Sequence, residues 1–367
     1  MLKTVLIGTA HMHVNEIADY ISGCEDTELC AVYDPPAAVA EDMEKRYTRA
    51  WNLKNVSGKY GTPVYTDLEK MLDEVKPDVA FILSENYKKP ELAECVAKRG
   101  INVIVEKPMA CTGEEALALH SLQERYGVEI YVNWPVAWRP HVNGFFRAVA
   151  DRVVGEPIKL RYVNGHTGPL GRGAKHRGVS ANAEEMTDEE RSRTWWYDKA
   201  YGGGAYLDIL CYGAFFSLAT LGMPSSVYSY GANLTMPFAK CEDNVTAILR
   251  YENALSVCEG TWTTPRARIP AGPEMICTDG VIFCEGGPDG KAEVRVIDYK
   301  GETVDYTLPE DISPYANIAE CYSDHILRGK EMPRVLTTEF NMDIVSIIDS
   351  ADLANKEGKE ISPILRR

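Results

Sequence analysis

No apolar run in this 367-residue chain approaches the roughly 20 residues that a membrane-spanning helix needs. No basic stretch followed by an apolar one opens it. Leu2-Lys3-Thr4-Val5-Leu6-Ile7-Gly8 reads at once as a strand, so no secretory signal is expected and the cytoplasm is the expected compartment. Positive charge is scarce: 39 Lys and Arg stand against 54 Asp and Glu, a formal net charge of −15. Such a surface disfavours nucleic acid and anionic membrane as partners and leaves a neutral small molecule open. The ten cysteines include no C-x-x-C pair and no paired zinc spacing, and they read as reduced thiols serving mostly as small core hydrophobes. Neither an internal repeat nor a low-complexity tract is found. Apolar residues make up 45% and charged residues 25%, which excludes a disordered or fibrous chain, and the length suits about two domains.

What is present first is a strict alternation. Short apolar runs predict strands at Val5-Leu6-Ile7, Leu29 to Tyr33, Pro63 to Tyr65, Asp78 to Leu83, Asn102 to Val105 and Glu129 to Val132. Helices are predicted between them, at Asn15 to Gly23, Ala37 to Tyr47 (opened by Pro35-Pro36), Asp67 to Val75, Pro90 to Arg99 and Thr112 to Tyr126. Runs apolar on both faces, separated by helices, imply βαβ units and a doubly wound parallel sheet, an α/β nucleotide-binding domain over residues 1–132.

Residues 133–367 change character. Strands are predicted at Ile158 to Val163, Val227 to Asn233, Asn244 to Tyr251, Leu255 to Trp262, Glu274 to Thr278, Val281 to Glu285 and Ala292 to Asp298. Asn253-Ala254 and Gly286 to Gly290 read as hairpin connections. Helices are expected at His141 to Val153, Asp208 to Leu221, Ala316 to Arg328 and Thr337 to Lys356. This is an α+β domain with a large, mostly antiparallel sheet open on one face. Residues 166–194 form a long polar stretch, and a loop of that length is a functional lid or is disordered.

Gly8-Thr9-Ala10-His11-Met12-His13 sits between the first strand and the first helix, where a dinucleotide fingerprint G-x-G-x-x-G belongs. There, glycines close the turn and bring backbone N–H groups to a pyrophosphate. Only the first glycine is kept: Ala10 adds a methyl, and His13 stands where a small residue packs helix on strand. Asp34 ends the second strand, a little beyond the roughly 20-residue offset of a carboxylate that holds the ribose 2′-hydroxyl. It repels a 2′-phosphate and so favours NAD over NADP; its other reading is a turn-forming Asp before Pro-Pro. His11-x-His13 also resembles the metal-binding H-x-H of barrel amidohydrolases. That reading needs further histidines at strand ends, and of the other five only His166 follows a strand, so no metal is expected.

Val105-Glu106-Lys107-Pro108 and Gly202-Gly203-Gly204-Ala205-Tyr206-Leu207-Asp208-Ile209-Leu210-Cys211-Tyr212 carry the most specific signal. The first resembles the E-K-P tripeptide, and the second the G-G-G-x-x-x-D-x-G-x-H segment, of the glucose-fructose oxidoreductase / inositol dehydrogenase / MocA family. Gly155-Glu156-Pro157 and the region from Glu320 to Pro333 resemble that family more weakly. The resemblance spans the chain. It implies a Rossmann domain, a nicotinamide cofactor, a sheet face that mediates homo-oligomers, and oxidoreductase activity on CH–OH groups of small sugars or polyols.

Residue by residue, the resemblance implies that Lys107, Asp208 and Tyr212 are catalytic. Lys107 would polarise the substrate oxygen or, with a lowered pKa, shuttle a proton. Asp208 would orient substrate and pair with Lys107, or simply cap a helix. Tyr212 replaces the usual histidine, as in the dihydrodiol dehydrogenase-like branch, and shares a helix face with Asp208. Glu106 and Lys107, together with Ser84 and Asn86 at the end of the fourth strand, join residues 8–13 and Asp34 as cofactor contacts. Arg139, His166, Trp195 and Trp196 join the catalytic three as substrate contacts. The tryptophan pair suits stacking on a sugar ring or aglycone, or packing in the core. His166 and His176 are candidate bases in place of the missing histidine. The expected reaction interconverts a secondary hydroxyl and a ketone on a sugar, glycoside or cyclitol, with C3 of a glucoside as a narrower reading. A dihydrodiol or aldose dehydrogenase, a non-catalytic NAD-binding regulator and a metal hydrolase are the alternatives.

Overall fold

The computed structural model describes residues 1–264, 272–286, 292–309 and 311–364. Its first sheet has six parallel strands: β1 (Leu2–Ile7), β2 (Thr27–Tyr33), β3 (Val64–Tyr65), β4 (Val79–Ile82), β5 (Asn102–Glu106) and β6 (Ile130–Asn133). Their order is β3-β2-β1-β4-β5-β6, so the winding reverses between β1 and β4, where ligands sit in such sheets. Val5, Leu6, Ile7, Val79, Phe81, Val103 and Val105 are all buried, as runs covered on both faces must be. The helices α1 (Val14–Gly23), α2 (Arg49–Tyr60), α3 (Leu68–Val75), α4 (Lys89–Ala97) and α5 (Gly113–Tyr126) connect them.

One helix differs from expectation. Residues 37–47 are not helical; the helix begins at Arg49. Their polar groups are spent on distant partners instead. Ala38 N–H donates to Glu85 (2.9 Å), Lys45 reaches Glu190 (2.7 Å) and Tyr47 Oη donates to the Ala181 carbonyl (2.6 Å). Tyr47 is fully buried with φ 75°, a left-handed conformation that a bulky residue adopts only when tertiary contacts hold it there.

The second sheet, with order β13-β12-β11-β7-β10-β9-β8, is mostly antiparallel. Its strands are β7 (Pro157–Gly165), β8 (Ser226–Ala232), β9 (Asn244–Arg250), β10 (Leu255–Thr261), β11 (Gly272–Cys277), β12 (Gly280–Gly286) and β13 (Ala292–Asp298). β7 and β10 are the one parallel pair among the described strands of this sheet, with Gly165 beside Thr261. The expected connection at Gly286 to Gly290 lies, beyond Gly286, outside the described residues. One face is covered by α6 (Pro140–Ala150), α8 (Cys211–Leu221) and α10 (Thr338–Glu357); the other leaves Tyr228, Tyr230 and Ile248 exposed. Two further α-helices are α7 (Asp188–Ser192) and α9 (Ile318–Arg328). Among the described residues no helix is long and apolar enough to cross a membrane.

Candidate functional site

β5 ends at Glu106, which places Lys107 at the C-terminal edge of the parallel sheet. A π-helical turn over Tyr206–Leu210 places Asp208 opposite; such turns recur at functional sites. Glycine is required just before it. A Cβ on Gly202 would lie 2.5 Å from Asn86 Cβ and from Cys111 Sγ, and one on Gly203 2.1 Å from the Trp196 carbonyl oxygen. Lys107 Nζ donates to the Asp208 carbonyl (3.0 Å) and to Asp208 Oδ1 (3.2 Å). Asp208 Oδ2 accepts from the Trp262 indole (2.9 Å) and faces His166 Nε2 (3.3 Å). The parallel register of β7 and β10 explains that meeting, because His166 and Trp262 each follow the strand end that pairs Gly165 with Thr261.

Burial alone would raise the Asp208 pKa. The Lys107 charge and the bonds from His166 and Trp262 outweigh it and hold the carboxyl well below the usual carboxylate range. Burial would likewise lower Lys107, but the groups around it, Tyr212, Cys211, Asp208 and Glu106, outweigh burial and hold it well above its ordinary value. That direction favours Lys107 as a fixed cation over the proton shuttle that a lowered pKa would allow. Lys107 Nζ lies over the face of Tyr212, 4.6 Å from the ring centroid. Burial pushes the Tyr212 phenol up to about 12.

The turn after β1 keeps one strict requirement. Gly8 has φ 92°, and a Cβ there would lie 2.5 Å from the Ser84 nitrogen. Asp34 Oδ1 accepts the Thr9 N–H (2.8 Å) and Oδ2 accepts Arg49 Nε (2.6 Å); Arg49 also pairs with Glu85 (2.7 Å). Glu85 Oε2 and Asn86 Oδ1 are buried acceptors without a hydrogen-bond partner at the end of β4. They fit the hydroxyl or amide donors of a dinucleotide lying between β1 and β4. Ser84 is buried with its hydroxyl on the Glu85 carbonyl, and Asn86 Nδ2 donates to the Gly202 carbonyl (2.8 Å).

His11, His13 and Glu106 come within 4.8 Å of one another, so the H-x-H pair gains a carboxylate that sequence spacing does not show. They satisfy each other instead. The His13 N–H donates to His11 Nδ1 (3.2 Å), and His13 Nδ1 bonds Glu106 Oε1 (3.0 Å). Asn133 Nδ2 donates to Glu106 Oε2 (2.8 Å). Burial, with His13 and Lys107 nearby, holds His11 well below the usual imidazole value.

Over this turn lies the long segment, residues 166–194, described along its whole length. Gly178 packs so close that a Cβ would lie 2.6 Å from the Asn15 carbonyl carbon. Thr9, Ala10, His11, Met12 and Asn15 are buried as a result. Trp195 and Trp196 stack on each other at 3.9 Å, Trp196 meets His11 edge-on, and the Trp195 indole donates to the Ala10 carbonyl (3.1 Å). Both are almost fully buried, so of the two readings left open for them the structure favours packing in the core. His176, half-buried, packs edge-on against Tyr47 and bonds the Pro169 carbonyl (2.9 Å), and desolvation pushes its imidazole down to about 3. Arg139 stands half-buried just before α6, apart from the bonds that join Lys107, Asp208, His166 and Trp262. Trp262, Arg49 and Glu85 were not singled out by sequence reasoning; for Trp262 the one available signal was its place at a strand end.

Two family models match the chain: an oxidoreductase family with an NAD-binding Rossmann fold over residues 2–134, and the GFO/IDH/MocA C-terminal domain over residues 148–283. D-apiose dehydrogenase of Paraburkholderia graminis is 31% identical over 95 residues, 26% of this chain and 25% of that protein. D-glucoside 3-dehydrogenase of Escherichia coli is 26% identical over 155 residues, 42% of this chain and 41% of that protein. The chain thus spans well under half the length of these two relatives. The WlbA dehydrogenase of Bordetella pertussis, solved with NADH and UDP-GlcNAcA, superposes with a TM-score of 0.75 at 18% identity, covering 100% of this chain and 99% of that one. The aldose-aldose oxidoreductase of Caulobacter crescentus, solved with glycerol, gives 0.74 at 17% identity, covering 98% and 99%. At such identities these structures establish the fold, while the two family models identify the chain as an oxidoreductase of the GFO/IDH/MocA family with an NAD-binding Rossmann domain.

Proposed function

We propose that the protein is a nicotinamide-dependent dehydrogenase that interconverts a secondary hydroxyl and a ketone on a sugar, glycoside or cyclitol. The observation that carries this reading is the Lys107–Asp208 pair, held at the edge of β5 beside the crevice between β1 and β4. When bound, the nicotinamide supplies the hydride acceptor. Lys107, fixed as a cation by Asp208, donates to the substrate oxygen and stabilises negative charge that develops on it. Asp208 holds the ammonium in place, and the stacked Trp195 and Trp196 help exclude water from the turn. Gly8, Ser84, Asn86 and Glu106 shape the cofactor cradle. Asp34 favours NAD, since its carboxylate repels a 2′-phosphate.

A glucoside oxidised at C3 is the narrower substrate; the relative that is a D-glucoside 3-dehydrogenase supports it. The exposed Tyr228 and Ile248, paired across β8 and β9, support a homo-oligomer built on that sheet face. The test is reduced-nicotinamide absorbance while sugars and glycosides are added. Turnover is expected with at least one glycoside, and Lys107→Ala abolishes it while calorimetry still reports cofactor binding. Undiminished turnover in that variant would sink the assignment.

A further inference from the structure

We propose that His166, at the end of β7, is the general base that takes the proton from the substrate hydroxyl, a role the helix carrying Asp208 does not fill through Tyr212. This inference rests on the dehydrogenase reading above. Its ground is the hydrogen-bond inventory of one imidazole. His166 Nε2 faces Asp208 Oδ2 at 3.3 Å. A carboxylate only accepts, so the neutral ring carries its proton on Nε2 and keeps a lone pair on Nδ1. His166 Nδ1 is buried and has no hydrogen-bond partner, although the side chain as a whole is 27% exposed. A base oriented by a carboxylate has the logic of the Ser-His-Asp triad, and its second nitrogen, buried without a partner, opens to a substrate hydroxyl when the substrate displaces what now covers it.

The other histidines near the site are engaged, and Tyr212, whose phenol is pushed up to about 12 by burial, lies with its ring face under Lys107. His176 is closed off by Pro169 and Tyr47. His11 and His13 are tied to each other and to Glu106. Trp262 lies alongside His166 with the rings 26° from parallel and holds the same Asp208 oxygen. The titratable groups facing His166 are Asp208 from the π turn, with Lys107 of the β5 end behind it, and His176 of its own segment.

In the oxidative direction the O–H bond breaks and its proton passes to His166 Nδ1. The carbon–oxygen bond becomes double as the carbon loses a hydride, with its electron pair, to the oxidised nicotinamide of the family's reaction. The resulting imidazolium is stabilised by Asp208 and returns its proton to water. Lys107 keeps all three of its own protons throughout.

Two measurements test this. In the first, His166→Asn and His166→Gln are expected to lower kcat by about 10²–10⁴-fold, with cofactor Kd unchanged. They also remove the acidic limb of the kcat/KM profile. Tyr212→Phe keeps that limb. A retained limb in both His166 variants, or its loss in Tyr212→Phe, overturns the proposal. The second measurement needs no turnover. The ring nitrogens of His166, assigned in ¹⁵N spectra by difference from His166→Gln, are expected to show the proton on Nε2, and Asp208→Asn is expected to disturb that preference. A proton on Nδ1 overturns the proposal by itself. Absence of turnover with every substrate, together with the expected tautomer, counts against the dehydrogenase reading and not against this orientation of His166.

Discussion

Trp262 and His166 share a single oxygen of Asp208, the indole nitrogen at 2.9 Å and the imidazole at 3.3 Å, which leaves the other oxygen to Lys107. Trp262 is buried, so its N–H has no water to turn to. Trp262→Phe keeps an aromatic ring and deletes one donor to a charged acceptor, a change of about 1.5–3 kcal/mol. With Asp208 held less firmly, kcat is expected to fall by about tenfold or more while cofactor Kd stays constant. Steady-state kinetics and calorimetry check this, and an unaltered kcat would show that the indole does not position the carboxylate.

Lys89 is fully buried under the turn that carries Lys107, and its ammonium donates to the carbonyls of Glu106 and Pro108. Burial pushes its pKa down to about 7. An unfolded lysine titrates near ~10.4. Between about pH 7 and about pH 10 the unfolded chain therefore binds more protons, and this group's contribution to stability rises with pH. Below about pH 7 its contribution is lowest. Urea unfolding of wild type and Lys89→Met at several pH values reads this directly. The difference between them is expected to shift in favour of wild type as pH goes from 7 to 10; a constant difference would contradict the depressed amine.

Asp34 divides its two oxygens between the Thr9 N–H and Arg49. Asp34→Asn removes the charge that repels a 2′-phosphate and loosens Arg49 towards one. The ratio of NADP to NAD affinity is expected to rise by about tenfold, the size of one charge-assisted hydrogen bond. Titration with both dinucleotides measures it. An unchanged ratio means that Asp34 does not read the ribose.

Gly178 has φ 79° and meets the backbone of Asn15 and Glu16. Gly178→Val has no room, so the segment must lift. Stopped-flow fluorescence is expected to show faster cofactor association and faster release, with circular dichroism unchanged. Equal rates in variant and wild type would show that this contact does not limit exchange.

The parallel sheet was legible because its central strands are covered on both faces and so read as unbroken apolar runs, as Val79 to Ile82 does. Lys107 and Asp208 were legible because their flanking residues answer to strict geometric demands, Gly202 and Gly203 above all. What escaped was set by distant contacts. Residues 37–47 have helical composition but are held out of a helix by distant partners, such as Glu85 for Ala38 and Ala181 for Tyr47. His166 was one candidate among several until a parallel strand pairing placed it beside Trp262 and Asp208. The tryptophan pair was ambiguous because stacking on a sugar and stacking on a neighbour ask for the same side chain.

The covering segment also has a cost for adaptation. It starts at the proposed base, crosses the dinucleotide turn at Gly178, and runs into Trp195 just before the glycines that seat Asn86 and Asp208. One stretch of chain thus borders both the turn after β1 and the Lys107–Asp208 pair. Remodelling it to admit a larger substrate would at the same time retune how long the dinucleotide resides, so selection on either trait drags the other along.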